Sequence, residues 1–157
     1  MTEQLLDILH SPELLRLGIA TERTYAANEA IVTEGADDRR VFLIDAGRVR
    51  VTGRVTLDEG RHIQPGLCDL DPGEVFGELS LFEGGARSAS VIALEEARVR
   101  VFDAPRLAAW FDEHPERGYV VLKALFGVLT ARLRKADERL SSLFAWGLKV
   151  HGIDKHL

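Results

Sequence analysis

The sequence contains very little of what metal centres and disulfide frameworks are made from. Cys68 is the single cysteine among 157 residues, and one thiol can form neither an internal disulfide nor a cysteine-cluster metal site. Of the five histidines, only His62 falls where strands are expected. Because metal sites need three or four ligands, His62 together with Cys68 and Asp69 is too small a set. We therefore expect no metal and no cofactor.

The sequence also lacks a long apolar run and an excess of positive charge. No apolar stretch is long enough to cross a bilayer, and residues 1–7 are too acidic and interrupted for a secretory leader. The formal net charge of -5 gives no general attraction to nucleic acid or to an anionic membrane. No Ser-His-Asp or Cys-His arrangement is visible. We expect a cytoplasmic protein that is not an enzyme.

Hydrophobic residues make up 46% of the chain, which suits one core and one domain over residues 1–157. Residues 1–23 have near-helical apolar spacing, residues 24–102 consist of short runs broken by glycine turns, and residues 103–157 read as helices and a tail. Short strands with glycine turns predict a mainly β fold of the α+β class, a sandwich or roll. The expected strands are 30–33, 40–45, 48–55, 63–70, 88–94 and 98–102.

The longest predicted helix covers residues 116–146 and follows a shorter helix that begins at Asp103. Along the longer one, apolar residues recur in steps of four and three, which is a heptad seam. A second apolar stripe lies in its first half. Two stripes indicate two partners, namely the strands and a second copy of the chain, and so predict a parallel homodimer. The alternative is that both stripes are buried in one monomeric core. The seam is Leu122, Phe126, Leu129, Leu133, Ala136, Leu140 and Leu143, and the second stripe is Val121, Leu125 and Val128.

The most informative stretch is the central loop, residues 75–91. Gly77 allows a bend, and the short apolar run at 79–82 can form one helical turn whose free N–H groups attract phosphate. Arg87 offers a fork of donors that matches phosphate oxygens, and Ser88 adds a hydroxyl. Glu78 would be repelled by that phosphate unless it accepts from a sugar hydroxyl. The set predicts a pocket for a nucleotide with one phosphate, although each residue alone could be a turn, a helix start or a solvated charge.

The motif Phe76-Gly77-Glu78-Leu79-Ser80-Leu81-Phe82, followed by Arg87-Ser88-Ala89-Ser90-Val91, closely resembles the phosphate-binding cassette of cyclic nucleotide-binding domains. These domains occur in bacterial catabolite activator proteins and in cyclic-nucleotide-regulated kinases and channels, and the resemblance extends over roughly residues 12 to 145. It implies an antiparallel β-roll, a double-stranded β-helix jelly roll, with N-terminal helices and a long C-terminal dimerisation helix. It also implies a ligand site made of Gly77, Glu78, Leu79, Ser80, Arg87, Ser88 and Ala89.

Within that resemblance, the glutamate matching Glu78 holds the ribose 2′-hydroxyl, the arginine matching Arg87 binds the cyclic phosphate, and the residue matching Ser88 assists. In bacterial activators, the long helix also closes over the purine with hydroxyl side chains near the positions of Ala136 and Asp137, which lack hydroxyls here. Arg132 aligns with an arginine that reaches toward the cassette glutamate. A pair between Arg132 and Glu78 and a solvated charge beside the seam both remain open.

Trp146 or Phe144 is a candidate lid that stacks near the base; packing on the dimer partner or the β-roll is the alternative. Bacterial activators continue into a helix-turn-helix at this point, whereas the remaining tail is too short for one and has no basic recognition helix. We therefore expect no binding to DNA.

Together these patterns predict a stand-alone sensor. It binds a cyclic purine monophosphate, cAMP in preference to cGMP, and moves its C-terminal helix so that an unknown downstream protein reads the change. The competing hypothesis is a dimeric scaffold or regulatory subunit with a vestigial pocket. A cupin-like metalloenzyme is a remote alternative, because it needs several histidines.

Overall fold

A computed structural model describes residues 3–53, 55–56, 62–63 and 66–152, with the backbone alone at 55–56, 62–63 and 66–67. The helices are α1 Glu3–Leu9, α2 Pro12–Arg16, α3 Ala104–Glu113 and α4 Pro115–Val150, and a 3₁₀ helix covers Glu78–Leu81. The strands are β1 Ala20–Tyr25, β2 Ala30–Val32, β3 Arg40–Ala46, β4 Val49–Thr52, β5 Val55–Thr56, β6 His62–Ile63, β7 Gly66–Leu70, β8 Val75–Phe76, β9 Ser90–Ala93 and β10 Ala97–Asp103.

Two four-stranded antiparallel sheets form the body of the fold. Their strand orders are β1-β10-β3-β8 and β2-β9-β4-β7, and β5 pairs with β6 in a separate ribbon. Side chains alternate along β3, so that Phe42 and Ile44 lie between the two sheets while Val41 and Leu43 face the helices. Strand β3 is therefore buried on both faces. This architecture confirms the predicted β-roll with N-terminal helices and a long C-terminal helix.

The sequence-based strand boundaries need two corrections. Strand β1 begins at Ala20, inside residues 1–23 that we assigned to helices. It is an edge strand whose four middle residues are exposed, so it lacks the alternating apolar pattern that identifies a strand. Strand β8 was missed because it has only two residues. Part of the predicted strands at 48–55 and 63–70, including Arg54, lies outside the described residues.

Helix α3 begins where the sequence indicates. The side chain of Asp103 accepts a hydrogen bond from the backbone N–H of Arg106 at 3.1 Å and caps the helix. Leu107, Trp110 and Phe111 are buried on its inner face against α1, α4 and the first sheet. The cap and the apolar face together fix the direction in which the chain enters α4.

Helix α4 has 36 residues and continues to Val150, past the predicted end at 146. The prediction stopped before Gly147, but an isolated glycine inside a helix costs only about 1 kcal/mol. Val121 and Leu125 of the second stripe are buried in the core, whereas Leu133 and Leu140 of the seam are 63% and 68% exposed. Among the described helices, none combines the length and the apolar content needed to cross a bilayer.

The packing of α3 against α4 predicts opposite outcomes for two glycines of α4. A Cβ atom at Gly118 would lie 2.9 Å from Cβ of Phe111, whereas a Cβ atom at Gly127 would meet no atom within 4 Å. We expect Gly118→Ala to lower the free energy of unfolding by about 1–3 kcal/mol through overpacking. Gly127→Ala, the control, should raise it by up to about 1 kcal/mol through helix propensity.

Urea denaturation of both variants at one protein concentration measures these effects. Equal stabilisation by the two alanines would contradict the close contact between Gly118 and Phe111.

Candidate functional site

The central loop borders a cavity of about 500 Å³ between the β2-β9-β4-β7 sheet, the 3₁₀ helix and α4. All seven residues of the predicted ligand site line this cavity: Gly77, Glu78, Leu79, Ser80, Arg87, Ser88 and Ala89. The structure therefore brings together the side chains that the sequence motif singled out. Their roles toward a ligand stay predictions.

Part of the cavity wall was not anticipated. Apolar residues from the second sheet and from α4 complete it, and the thiol of Cys68 is exposed there. The alternation of each strand shows which residues share a face, but it does not reveal which face borders a cavity. The additional apolar lining residues are Val32, Val51, Leu70, Phe76, Val91 and Leu129.

Gly77 positions the start of the 3₁₀ helix. Its φ of 76° is left-handed, and a Cβ atom there would lie 2.8 Å from the carbonyl oxygen of Arg40 and 3.0 Å from Nη1 of Arg87. Both facts favour glycine. The helical turn begins at Glu78, one residue earlier than the predicted turn at 79–82, and Glu78 is consequently buried within it.

Arg87 is a buried guanidinium that retains a free donor. Its backbone N–H donates to Ala36 and its carbonyl accepts from Gly35, so the loop is tied to the segment before β3. The side chain is 10% exposed, and Nη2 donates to the carbonyl oxygen of Arg40. Within the described part of the chain, Nε is buried and has no hydrogen-bond partner. Such an atom favours an anion in the adjoining cavity.

Asp38 lies behind Arg87 and is held mainly by another arginine. Arg40 donates to both carboxylate oxygens of Asp38, at 2.8 Å from Nε and 2.6 Å from Nη2. The closest approach of Arg87 to the same carboxylate is 3.5 Å. The hydrogen bonds from Arg40 hold the pKa of Asp38 below its usual range, against the opposing effect of burial, and they raise the pKa of Arg40. Asp38 is thus ionised and largely neutralised by Arg40.

Glu78 is joined to the C-terminal helix. Arg132 of α4 donates from Nη1 to Oε1 of Glu78 at 2.8 Å and from Nη2 to the carbonyl oxygen of Val75 at 3.2 Å. The Glu78 side chain is only 7% exposed and that of Arg132 is 37% exposed. The structure therefore contains the pair suggested by the sequence, and it places an ion pair between the 3₁₀ helix and α4.

The remaining predicted ligand contacts differ in whether they line the cavity. Ser88 is exposed on the cavity wall, and the Ser80 hydroxyl makes a long hydrogen bond of 3.4 Å to the carbonyl oxygen of Asp38. Ala136 and Trp146 are both exposed and are absent from the residues that line the cavity. Contacts from Ala136 or Trp146 to a base stay predictions that need a different position of the second half of α4.

No group of three or more His, Cys, Asp or Glu side chains is placed to hold a metal ion in the part of the chain that the structure describes. The side chain of His62 lies outside that part. The charged residues that line the cavity are Glu78, Glu83, Arg87 and Arg132, and the rest of its wall is largely apolar.

Comparisons with known proteins agree with this chemistry. A family model described as a cyclic nucleotide-binding domain matches residues 22–114. The "CRP-like cAMP-activated global transcriptional regulator" of Mycobacterium tuberculosis is 29% identical over 119 residues, covering 76% of this chain and 50% of the relative. The "Cyclic AMP receptor protein" of Thermus thermophilus is 31% identical over 129 residues, covering 82% and 56%. The chain thus spans about half the length of the curated relatives it matches.

A solved structure agrees as well. A cyclic nucleotide-binding domain from Methylobacillus flagellatus has a TM-score of 0.70 and 26% sequence identity, and the match covers 87% of this chain and 80% of that one. The similarity thus includes the strands and helices around the cavity, beyond the short motif.

The contacts of Gly77 predict that its replacement damages the site more than backbone strain alone would. Gly77→Ala adds a Cβ atom against Arg40, Arg87 and Phe42 at a left-handed φ. Gly73 has a similar φ of 89°, and a Cβ atom there would meet no atom within 4 Å, so Gly73→Ala is the matched control. We expect the Gly77 variant to lose about 1–3 kcal/mol more stability than the control, because it adds overpacking to the shared strain.

Chemical denaturation of both variants gives that difference directly. If the two alanines cost the same, the close packing around Gly77 is not a constraint on the loop.

Proposed function

The chain belongs to the cyclic nucleotide-binding domain family, and on that premise we propose that it is a regulatory sensor that binds a 3′,5′-cyclic purine monophosphate in the cavity. The observation that carries the proposal is Arg87, a residue that lines the cavity and whose buried Nε has no hydrogen-bond partner in the described part of the chain. A cyclic phosphate supplies the missing acceptor and the compensating charge. The proposed role is non-enzymatic, because binding alone requires only these contacts.

The proposal assigns the ligand one orientation in the cavity. The phosphate lies toward Arg87 and Ser88, and the ribose 2′-hydroxyl donates to the carboxylate of Glu78. The purine then lies against apolar side chains such as Val51 and Leu129, which line the same cavity. The preference for cAMP over cGMP is supported by the names of the two curated relatives and stays a prediction.

The ion pair between Glu78 and Arg132 offers a route from ligand to helix. Arg132 occupies Oε1 of Glu78, the carboxylate that the ribose also needs. A ribose hydroxyl that donates to Glu78 competes with the hydrogen bonds of Arg132 to Glu78 and Val75. The equilibrium between positions of α4 then shifts. The ligand thereby acts on α4 through Arg132.

We also propose that α4 forms a homodimer through the seam. Its second half carries exposed apolar residues that find no cover within the described chain, including Leu133, Leu140 and Leu143, each more than 60% exposed. Apolar residues repeating at heptad spacing are typical of a helix that pairs with a copy of itself. The stand-alone character, the absence of DNA binding, the cytoplasmic location and the downstream protein stay predictions, because the match covers only 50% and 56% of the two curated relatives.

Calorimetry with cAMP, cGMP and AMP tests the ligand. We expect a cyclic nucleotide to bind to the wild-type protein and AMP, which lacks the cyclic ester, to bind more weakly. Arg87→Ala should weaken binding by about 100-fold or more, because it removes a charge-assisted contact. Arg50→Ala, which removes an exposed arginine of β4, is the control and should bind like wild type.

Thermal unfolding of the Arg87 variant must show that it is folded. Wild-type protein that binds no cyclic nucleotide would refute the sensor and leave the vestigial-pocket scaffold. Equal affinity for AMP and cAMP would show that the cyclic ester is not recognised.

Sedimentation of two variants tests the dimer. Leu140→Glu puts a charge into the seam, beyond the buried part of α4, and we expect it to produce monomers. Ser141→Glu places the same charge on the neighbouring exposed position outside the seam and should leave the dimer intact. Dimers of equal strength for both variants would rule out the seam as the interface.

A further inference from the structure

Arg40 stands behind the phosphate position of the proposed site and does not line the cavity. We infer that Arg40 is a positioning residue that keeps Arg87 available for phosphate by neutralising Asp38, the carboxylate that would otherwise pair more closely with Arg87 than its present 3.5 Å. The inference rests on the proposed function, since it assigns a role in nucleotide affinity to a residue outside the motif of the central loop.

Asp38 contacts the guanidiniums of both Arg40 and Arg87, and it binds Arg40 more closely. Both of its carboxylate oxygens accept from Arg40, in a bidentate pair, which is the strongest arrangement for these groups. The contact from Nη2 of Arg87 to Asp38 is 3.5 Å long, beyond a good hydrogen bond. Arg40 is therefore the closer counter-charge of Asp38, and Arg87 makes only the longer contact.

The burial of Asp38 and Arg87 strengthens the attraction between them, and therefore the competition with a phosphate for Arg87. The side chains of Asp38 and Arg87 are 12% and 10% exposed, so water screens their attraction much less than it does at the surface. Without Arg40, Asp38 would be a buried carboxylate whose nearest cation is Arg87. An incoming phosphate would then have to displace that carboxylate, and part of its binding energy would be lost.

The net charge of Arg40, Arg87 and Asp38 becomes zero when a bound cyclic phosphate is added. Arg40 and Arg87 carry one positive charge each, and Asp38 and a cyclic phosphate carry one negative charge each. The guanidiniums of Arg40 and Arg87 both lie over the ring of Phe42, at 5.1 and 5.9 Å from its centre. Asp38 contacts both of these cations, so a bound phosphate would complete a neutral group of four charges.

Affinity for cyclic AMP, or for whichever cyclic nucleotide wild type binds, tests the inference in a double-mutant cycle. We expect Arg40→Gln to weaken binding by about tenfold, since Asp38 then turns to Arg87. Asp38→Asn alone should bind at least as tightly as wild type. The double variant should return to within about threefold of wild type, because the competing carboxylate is gone.

The rescue separates this role from a merely structural one, since removing a second member of a structural brace cannot restore affinity. The exposed bidentate pair of Arg50 with Asp69 supplies the control cycle, in which Arg50→Gln and Asp69→Asn leave affinity unchanged. The inference is overturned if Arg40→Gln binds like wild type, if the double variant stays as weak as Arg40→Gln, or if Asp38→Asn alone weakens binding tenfold.

Should Arg40→Gln fail to fold, Asp38→Asn and the double variant still decide the question. Failure of the proposed function has a different signature, namely no cyclic nucleotide binding by wild type.

Discussion

A guanidinium buried with an unpartnered donor is the interaction on which the site depends. Taking a positive charge out of water costs several kcal/mol unless acceptors and a counter-charge replace the solvent. Arg87 receives part of that compensation from the carbonyl oxygen of Arg40 and from the carboxylate of Asp38 at 3.5 Å. Its Nε receives none within the described chain. The proposed phosphate would supply the acceptor that the described part of the chain does not.

The cost of burying a charge also explains why the site is connected to the rest of the fold. Glu78 is as deeply buried as Arg87, and its counter-charge comes from Arg132, 54 residues further along the chain. A buried carboxylate must keep a cation or another donor nearby. The proposed ribose contact to Glu78 would therefore compete with the ion pair that joins Glu78 to α4.

Most of the candidate site could be predicted from the sequence because Glu78 and Arg87 lie in one short loop with Gly77. Residue type and spacing there indicate which ligand groups the side chains could bind. The two-sheet body was also predictable from its glycine turns. Asp38 and Arg40 were not, since two opposite charges in a polar segment look like solvated residues until tertiary packing buries them. Strand β1 was assigned to helices because its exposed, polar middle hides the strand period, and the apolar cavity wall required knowledge of which sheet face is inward.

Helix α4 continues for 18 residues beyond Arg132, which bonds to Glu78 and Val75, and ends at Val150. At 1.5 Å per residue, this segment is roughly 27 Å long. A tilt of about 5° at Arg132 would move its far end sideways by about 2 Å, as simple trigonometry on that length gives. Any small change beside the cavity would therefore be largest at the C-terminal end of α4.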